Sequence, residues 1–262
     1  MDKKETSWGK VAEWYDELLE NSPDSFQAKV ILPNITRILD LKPGMKVIDV
    51  ACGQGFFSRV FEQQGASVTA SDISSELVSA AVKKSPKTIA YHVAPADALA
   101  FAASSTYDVA VVILALQNIE NFAGTIAECS RALKKGGRFV IVLNHPAFRI
   151  PQRSSWEWDD RAGKPGQTTG RQFRRIDSYL SDDRMEIDMT PGEPDVRKKK
   201  KTMTFHRSLQ AYFKALNKAG FAVTRLEEWI SHRKSQKGPR AAEEDRIRKE
   251  IPMFLLLEAT KS

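Results

Sequence analysis

The stretch VIDVACGQGFFSRV, residues 47–60, joins the pattern of a strand to the pattern of a helix. An apolar-leaning run contains Asp49, a loop of small residues carries Gly53 and Gly55, and residues 56–64 look helical. Glycine at such a junction lets the backbone approach a ligand closely, because it has no Cβ. The stretch therefore predicts a ligand site where a strand meets a helix.

Strand and helix patterns alternate on both sides of this stretch. Strands are predicted at 47–50, 66–72, 88–94, 107–116 and 138–144, with helices at 56–64, 74–85 and 122–135. The fourth strand, YDVAVVILAL, is apolar on both faces, as a buried parallel strand should be. A helix at 208–220 and two more strands, 221–230 and 251–261, follow later. This order predicts an α/β fold with a doubly wound, Rossmann-like sheet.

Changes in composition divide the chain into four parts. Residues 1–40 read as an N-terminal helical cap, with helical spacing in 8–18 and 30–39, and residues 41–145 form the core that carries the glycine loop. Residues 146–205 are polar and read as a lid-like insertion after strand 5. In this insertion 171–180, 183–189 and 200–206 have the pattern of short antiparallel strands. Residues 206–262 complete the core sheet.

The overall composition is that of an ordinary globular protein. The chain has 262 residues, of which 42% are hydrophobic and 28% charged. Its two cysteines, Cys52 and Cys129, form no CxxC or Cys/His cluster, so neither a disulfide framework nor a metal site is expected. The charged N-terminus has no signal core, and the longest apolar run, 109–116, is too short to span a membrane. We expect a cytoplasmic protein.

The net charge of +7 raises the question of an acidic partner. Much of the charge is clustered, above all in the run 197–201. This run is either a solvated loop or a phosphate-binding patch, and it lacks the interleaved aromatic residues that would stack on bases.

Acids at the ends of three successive predicted strands indicate the ligand. Asp49 would repel a pyrophosphate and would suit a cation, and Ser58 stands where a dinucleotide fingerprint has glycine or alanine. Asp72 is placed to accept hydrogen bonds from ribose hydroxyls, and Asp97 to accept one from an adenine amino group. A helix cap or a turn is the alternative role of each acid. Together they predict a cationic nucleoside without phosphate, which fits S-adenosylmethionine.

Five motifs resemble those of the class I S-adenosylmethionine-dependent methyltransferases. They are VIDVACGQG, VTASDI, PADALAF, YDVAVVILALQNIEN and LKKGGRFVIV. The chain looks most like the small-molecule branch that includes ubiquinone and menaquinone biosynthesis methyltransferases, with a type 11 methyltransferase domain. The resemblance covers 10–145 and, more loosely, 206–262. It implies a seven-stranded sheet with an antiparallel last strand and S-adenosylhomocysteine as the product.

The resemblance also implies which residues contact the cofactor. They are Tyr15, Asp49, Ala51, Gly53, Gly55, Asp72, Ile73, Asp97, Ala98, Ile113 and Leu114. In chain order, the acids would meet the ammonium group, the ribose and the adenine. The glycine-loop backbone would meet the methionine part, and that of Ile113 and Leu114 would lie near the sulfonium. Tyr15 would lie on a helix folded over the cofactor, although its spacing equally suits a core residue.

Methyl transfer needs an acceptor aligned with the S–CH3 bond and, for a protonated acceptor, a base. Where the family has a pair of histidines, this chain has Gln117 and Asn118. His145, after strand 5, and His206, at the end of the insertion, are therefore the candidate bases, although His145 can equally be a turn residue before Pro146.

Acceptors of this fold enter at the carboxyl ends of strands 4 and 5. The predicted substrate contacts are Gln117, Asn118, Asn144, Trp156 and Tyr179. The two aromatic residues either wall the substrate or form the small core of the insertion.

The sequence thus predicts a methyltransferase that transfers a methyl group from S-adenosylmethionine to O, N or C of a small molecule. An RNA or other nucleic-acid methyltransferase and an S-adenosylmethionine-binding protein without transferase activity are the alternatives. A nicotinamide oxidoreductase is disfavoured by Asp49 and Ser58.

Overall fold

A computed structural model describes residues 23–159, 170–190, 195 and 199–262 of the chain. The strands are β1 Lys46–Val50, β2 Ser67–Asp72, β3 Ala90–Val93, β4 Tyr107–Ile113, β5 Leu133–Asn144, β6 Ser154–Asp159, β7 Arg171–Ile176, β8 Asp183–Asp188, β9 Lys201–His206, β10 Phe221–Trp229 and β11 Phe254–Lys261. The α-helices are α1 Leu32–Leu39, α2 Phe56–Gln63, α3 Ser75–Lys84, α4 Phe122–Ala132, α5 Leu209–Lys218 and α6 Ala241–Glu250. A π-helical turn, Gln27–Ile31, leads into α1, and a 3-10 turn, Leu116–Asn118, follows β4. The predicted helix over 8–18, with Tyr15, lies outside the described residues.

Seven strands form one sheet in the order β10-β11-β5-β4-β1-β2-β3. Neighbouring strands from β3 to β5 pair in parallel, whereas β11 is antiparallel to both β5 and β10. This confirms the predicted seven-stranded sheet with an antiparallel last strand.

Successive residues of β1 face opposite sides of the sheet, so that helices pack on both faces. Val47 joins a fully buried cluster with Ile35 of α1 and Phe61 of α2, while Ile48 joins a second cluster that includes Ile126 of α4. Burying a side chain of this size contributes about 1.5–3 kcal/mol. The two clusters hold the strand ends, and with them the loops that follow, in fixed positions.

The start of β5 differs from the prediction. The helix expected over 122–135 ends at Ala132, and β5 begins at Leu133 rather than at residue 138. Leu133 pairs with Tyr107 and Arg138 pairs with Val109, with an irregular register between them. Gly136, with φ +74°, lies in this irregularity and lets the strand continue, so the glycines that suggest a helix end belong to a strand.

Two antiparallel strand pairs follow the main sheet in the chain. β6 pairs with β7, and β8 pairs with β9. Strands were predicted near β7, β8 and β9, and each is present, but β6 was missed. The division of the chain into cap, core and lid-like insertion stays a prediction.

The described lysines of the basic run 197–201 include two that pair with acids of β8. Lys199 contacts Asp188 at 2.9 Å, and Lys201 contacts Glu186 at 2.7 Å. Arg197 and Lys198 lie outside the described residues. Lys201 is the first residue of β9 rather than part of a loop, and the two ion pairs occupy charges that a phosphate patch would use.

Within the described ranges, no helix is both long and apolar enough to cross a bilayer. The same part of the chain contains no group of His, Cys, Asp and Glu side chains that could hold a metal ion.

Candidate active site

A cavity of about 700 Å³ opens at the carboxyl ends of β1, β2 and β4. Its walls come from the ends of β1, β2 and β4, from the loops that follow β1 to β4 and from Leu77; the lining residues are 49, 51–54, 56–57, 72–73, 77, 94–97, 113–115 and 118–121. Parallel strands bring their carboxyl ends to one edge of the sheet, so distant parts of the chain meet here. The cavity lies where the sequence predicted the ligand.

The predicted cofactor residues divide between the cavity and its surroundings. Those that line it are Asp49, Ala51, Gly53, Asp72, Ile73, Asp97, Ile113 and Leu114, whereas Gly55 and Ala98 do not. Of the predicted substrate residues, Asn118 lines it. These contacts remain predictions, and the geometry of each residue follows.

The glycine loop is a tight turn with unusual backbone angles. Ala51 and Gly53 both have φ +58°, and a positive φ is uncommon for a residue with a side chain. The Cys52 N–H donates to the Ser71 carbonyl at 2.9 Å, and the Gly55 N–H donates to the Cys52 carbonyl at 3.1 Å. These bonds hold the loop backbone against the cavity.

Gly55, which does not line the cavity, packs closely against neighbouring side chains. Its φ is +79°, and a Cβ added there would lie 2.3 Å from Oη of Tyr91 and 3.2 Å from Cβ of Ala81. The glycine therefore lets the loop pack against β3 and α3.

Asp72 is 7% exposed and joins β2 to the glycine loop. Its Oδ2 accepts from the Gly53 N–H at 2.9 Å, and its Oδ1 accepts from the Ser74 N–H at 2.9 Å. Burial raises the pKa of this carboxyl, against the effect of these bonds. The cap of α3 is Ser74, whose Oγ accepts from the Leu77 N–H, so Asp72 is not that cap. Each of its oxygens retains capacity for a ligand hydroxyl.

Asp49 is a buried carboxylate, 2% exposed, that makes no ion pair with any residue the structure describes. It accepts a hydrogen bond from Oγ of Ser58, the residue that departs from the dinucleotide fingerprint. Burial raises its pKa to about 7, and the charge of Asp72 adds to this rise. A buried, unpaired carboxylate at a cavity wall is suited to a cationic ligand group.

Asp97 is held by Asn121, which sequence reasoning did not single out. Nδ2 of Asn121 donates to Oδ2 of Asp97 at 2.7 Å, while its Oδ1 accepts from the Gly124 N–H at 3.0 Å and caps α4. Asn before a helix signals a cap, but nothing in the sequence links it to Asp97.

The turn beyond Asp97 is fixed by α4. Glu128 accepts from the Leu99 N–H at 2.9 Å, and Arg131 donates to the Leu99 carbonyl at 2.9 Å. The N–H of Ala98 donates to the Pro95 carbonyl at 3.1 Å, which leaves it engaged within the turn.

Gln54 is a second residue that sequence reasoning missed. It lines the cavity and is 1% exposed. Arg59 donates to its Oε1 at 2.8 Å and to its backbone carbonyl at 2.7 Å, which fixes the orientation of the amide. Its Nε2 has no hydrogen-bond partner among the described residues. Because a buried unsatisfied donor costs about 1–3 kcal/mol, Nε2 is suited to an acceptor group on a ligand.

The turn after β4 folds back on the carbonyl of Leu114, a residue with φ +54°. This carbonyl accepts from Nε2 of Gln117 at 2.8 Å and from Nδ2 of Asn118 at 3.4 Å. The Leu114 N–H donates to the Val142 carbonyl at 2.8 Å. The two side chains therefore brace the cavity wall.

The same wall is held from outside by the residue that follows β9. Arg207, 6% exposed, donates through Nη2 to the carbonyls of Ile119, at 3.0 Å, and Glu120, at 2.7 Å. Its guanidinium lies 4.3 Å from the ring centre of Phe122. Arg207 therefore positions two residues that line the cavity.

His145 does not line the cavity and is 1% exposed. Its Nδ1 accepts from the Ala147 N–H at 3.2 Å, so Nε2 carries the proton and donates to Oε1 of Glu228 at 2.8 Å. Burial lowers the pKa of the ring, against the influence of Glu228. Both nitrogens are thus engaged, and these contacts favour the turn residue that the sequence left open.

Apart from Asn118, the other predicted catalytic and substrate residues also lie outside the cavity lining. His206 donates from Nε2 to the Tyr179 carbonyl at 2.8 Å, and the Tyr179 hydroxyl accepts from the Leu209 N–H at 3.0 Å, at the start of α5. Trp156 lies under the guanidinium of Arg174, and Asn144 is exposed at the end of β5. These contacts favour structural roles for Tyr179 and His206.

The seven-stranded sheet matches the fold of S-adenosylmethionine-dependent methyltransferases, as comparison with known proteins shows. Residues 48–141 match the family model described as a methyltransferase domain. The solved S-adenosylmethionine dependent methyltransferase from Mesorhizobium loti superimposes with a TM-score of 0.67 at 26% identity, covering 90% of this chain and 98% of that one. Residues 48–141 thus match a methyltransferase domain, within a chain that has the fold of an S-adenosylmethionine-dependent methyltransferase.

Two curated relatives belong to quinone biosynthesis. The chain is 32% identical over 135 residues to the ubiquinone biosynthesis O-methyltransferase of Xanthomonas oryzae pv. oryzae, covering 50% of this chain and 56% of that protein. It is 31% identical over 113 residues to the demethylmenaquinone methyltransferase of Tropheryma whipplei, covering 42% of this chain and 46% of that protein. The chain therefore spans about half the length of the curated relatives it matches.

Proposed function

We propose that the protein transfers the methyl group of S-adenosylmethionine to O, N or C of a small-molecule acceptor. One observation carries the proposal: four acids and no Lys, Arg or His line the cavity among the described residues. The acids are Asp49, Asp72, Asp97 and Glu120. Such a wall suits a cationic nucleoside and opposes the phosphates of a nicotinamide cofactor or ATP.

The lining residues fit the parts of S-adenosylmethionine in order. Asp49 would hold the ammonium group, and Nε2 of Gln54 would donate to the carboxylate. Asp72 would hold the ribose, and Asp97 the adenine amino group. The bound cofactor supplies an activated methyl group on a positively charged sulfur.

The protein's part in the transfer is to align the acceptor and to exclude water. The wall of 113–121 is rigid because Gln117, Asn118 and Arg207 hold its backbone. His145 and His206 stay candidate bases by their place in the chain, although their hydrogen bonds support structural roles.

A small-molecule acceptor is supported by the cavity volume, which lies within the range of about 300–1,000 Å³ usual for small-ligand sites. The names of the quinone-biosynthesis relatives point in the same direction. A cytoplasmic location is consistent with Cys52 and Cys129, which are both free thiols.

Calorimetry with S-adenosylhomocysteine tests the proposed cofactor site. Asp72→Ala should weaken binding about tenfold or more, because a hydrogen bond to a charged group contributes about 1.5–3 kcal/mol. Asp108→Ala is the matched control, since Asp108 also accepts a backbone hydrogen bond, from Lys46, but at the amino end of β4. Equal affinity of Asp72→Ala and wild type would contradict the proposal.

Release of S-adenosylhomocysteine from S-adenosylmethionine, measured with a panel of phenols, amines and acids, tests the transfer itself. Tight binding without release for any acceptor would favour a binding protein. Release with RNA that falls steeply with salt would favour a nucleic-acid methyltransferase.

A further inference from the structure

Arg174, on β7, is held rigidly by groups that carry no negative charge. Its Nε donates to the Phe148 carbonyl at 2.9 Å, and its Nη2 donates to Oγ of Ser154 at 2.6 Å. Its guanidinium carbon lies 5.0 Å from the ring centre of Trp156. The guanidinium is therefore fixed in place, and it makes no ion pair with any described carboxylate.

Arg149 lies in the turn that also contains Phe148. Its backbone N–H donates to the His145 carbonyl at 2.8 Å, but its buried Nε has no hydrogen-bond partner among the described residues. Burial and the positive charge of Arg174 lower the pKa of Arg149 to about 10. Arg174 therefore hydrogen-bonds to Phe148, the residue before Arg149, and neither guanidinium makes an ion pair with a described acid.

Other arginines nearby do have acids. Arg153 pairs with Asp183 at 3.7 Å, and Arg184 pairs with Glu120 at 3.5 Å. Arg175, next to Arg174 on β7, points to the opposite, exposed face. Arg149 and Arg174 therefore lack an acidic partner among the described residues, whereas the neighbouring Arg153 and Arg184 have one.

The two arginines lie beyond the carboxyl end of β5, next to the strand that leads into the cavity wall. The turn with Arg149 follows the carboxyl end of β5, which pairs in parallel with β4 through Val142 and Ile113. Ile113 lines the cavity. In this fold acceptors enter at the carboxyl ends of these two strands, so the pair lies on the acceptor side.

We propose that Arg149 and Arg174 form an anion-binding subsite that holds a carboxylate of the methyl acceptor. This inference rests on the proposed function and names its substrate class as small organic acids. Guanidinium N–H groups match the two oxygens of a carboxylate. Arg174 uses its Nε and one N–H of Nη2, and the N–H groups that remain on Nη1 and Nη2 can meet the two oxygens of a carboxylate.

Calorimetry with benzoate tests the subsite without knowledge of the natural acceptor. Benzoate should bind the wild-type protein at least tenfold more tightly than benzamide, its neutral analogue. Arg149→Gln should weaken benzoate binding about tenfold or more, whereas Arg175→Gln, the matched control on the same strand, should not. Equal binding of benzoate and benzamide, or an unchanged affinity in Arg149→Gln, would overturn the inference. Tighter binding of phenyl phosphate than of benzoate would overturn the choice of carboxylate.

Two further measurements separate the possible failures. Without ligand, Arg149→Gln should melt at or above the wild-type temperature, because it removes an uncompensated charge, and a large decrease would instead assign Arg149 a role in folding. S-adenosylhomocysteine is titrated into the same samples. If it binds while benzoate and benzamide bind alike, the subsite is wrong and the cofactor site stands. If it does not bind, the proposed function is wrong, and specific benzoate binding would still support the anion site.

Discussion

Asn121 donates a hydrogen bond across 2.7 Å to the Asp97 carboxylate and, with its other amide atom, caps α4. One side chain thus ties the loop after β3 to the helix after β4. We expect Asn121→Ala to weaken S-adenosylhomocysteine binding several-fold, because Asp97 loses its anchor, and to lower the free energy of unfolding by about 1 kcal/mol through the lost cap. Calorimetry and urea unfolding measure the two effects.

Asn121→Ser is the control that separates them. Serine restores the cap but is too short to reach Asp97, so stability should return while affinity stays low. Recovery of both would show that Asn121 acts only as a cap.

The pKa of Asp49, about 7, predicts a pH-dependent affinity. The ammonium group of the ligand favours the ionised carboxylate, so binding below pH 7 must displace a proton. Affinity for S-adenosylhomocysteine should therefore fall by up to tenfold for each pH unit below about pH 7. Above pH 7 Asp49 is already ionised, so it should cause little further change in affinity. Calorimetry between pH 5.5 and 8, in buffers of different ionisation enthalpy, measures both the affinity and the released proton.

Asp49→Asn should bind weakly and without this pH dependence. In the unliganded protein the folded pKa lies above the value of 3.8 for a free carboxyl. The contribution of Asp49 to the free energy of unfolding therefore falls as the pH rises from about 4 to 7. An identical pH profile in Asp49→Asn would assign the effect to another group.

The unpaired Nε2 of Gln54 predicts selectivity for the amino-acid part of the cofactor. Gln54→Leu should weaken S-adenosylhomocysteine binding about tenfold, as expected for a hydrogen bond to a carboxylate. Binding of 5′-methylthioadenosine, which lacks the amino-acid group, should be unchanged and serves as the control ligand. Equal losses for both ligands would mean that the substitution disturbs the loop.

The contact of Gly55 with Tyr91 predicts a stability effect. Gly55→Ala combines a positive φ with a Cβ 2.3 Å from Oη of Tyr91, whereas Gly136→Ala meets a similar φ of +74° with nothing within 4 Å. The latter should cost about 1 kcal/mol of unfolding free energy from backbone strain alone, and Gly55→Ala should cost clearly more. Urea unfolding compares the two, and Tyr91→Phe in the Gly55→Ala background should recover part of the difference.

The acids of the site were predictable from the sequence because each lies at or just beyond the end of a strand pattern. Parallel strands bring their carboxyl ends together, so the positions of Asp49, Asp72 and Asp97 in the chain already implied a common edge. Asn121 is 24 residues from Asp97, and Gln54 is one of several polar residues in a loop. Their roles depend on packing between helices and strands, which no local pattern records.

Two features of the fold differ from the prediction. Gly136 and Gly137 indicate a helix end, yet the chain is already extended at Leu133, where pairing with β4 outweighs local preference. β6 was missed although Trp156 and Trp158 alternate with polar residues, which is the usual signal of a strand.

The strand β11 lies between β5 and β10, although it is the last of the three along the chain. Among the described residues, β10 hydrogen-bonds to the sheet only through β11. During synthesis on the ribosome, residues 221–229 therefore have no ladder to join until residues 254–261 have emerged. Removing β11 should thus detach β10 from the sheet as well. A nascent chain that ends before β11 would expose the unpaired edges of β5 and β10 to neighbouring molecules.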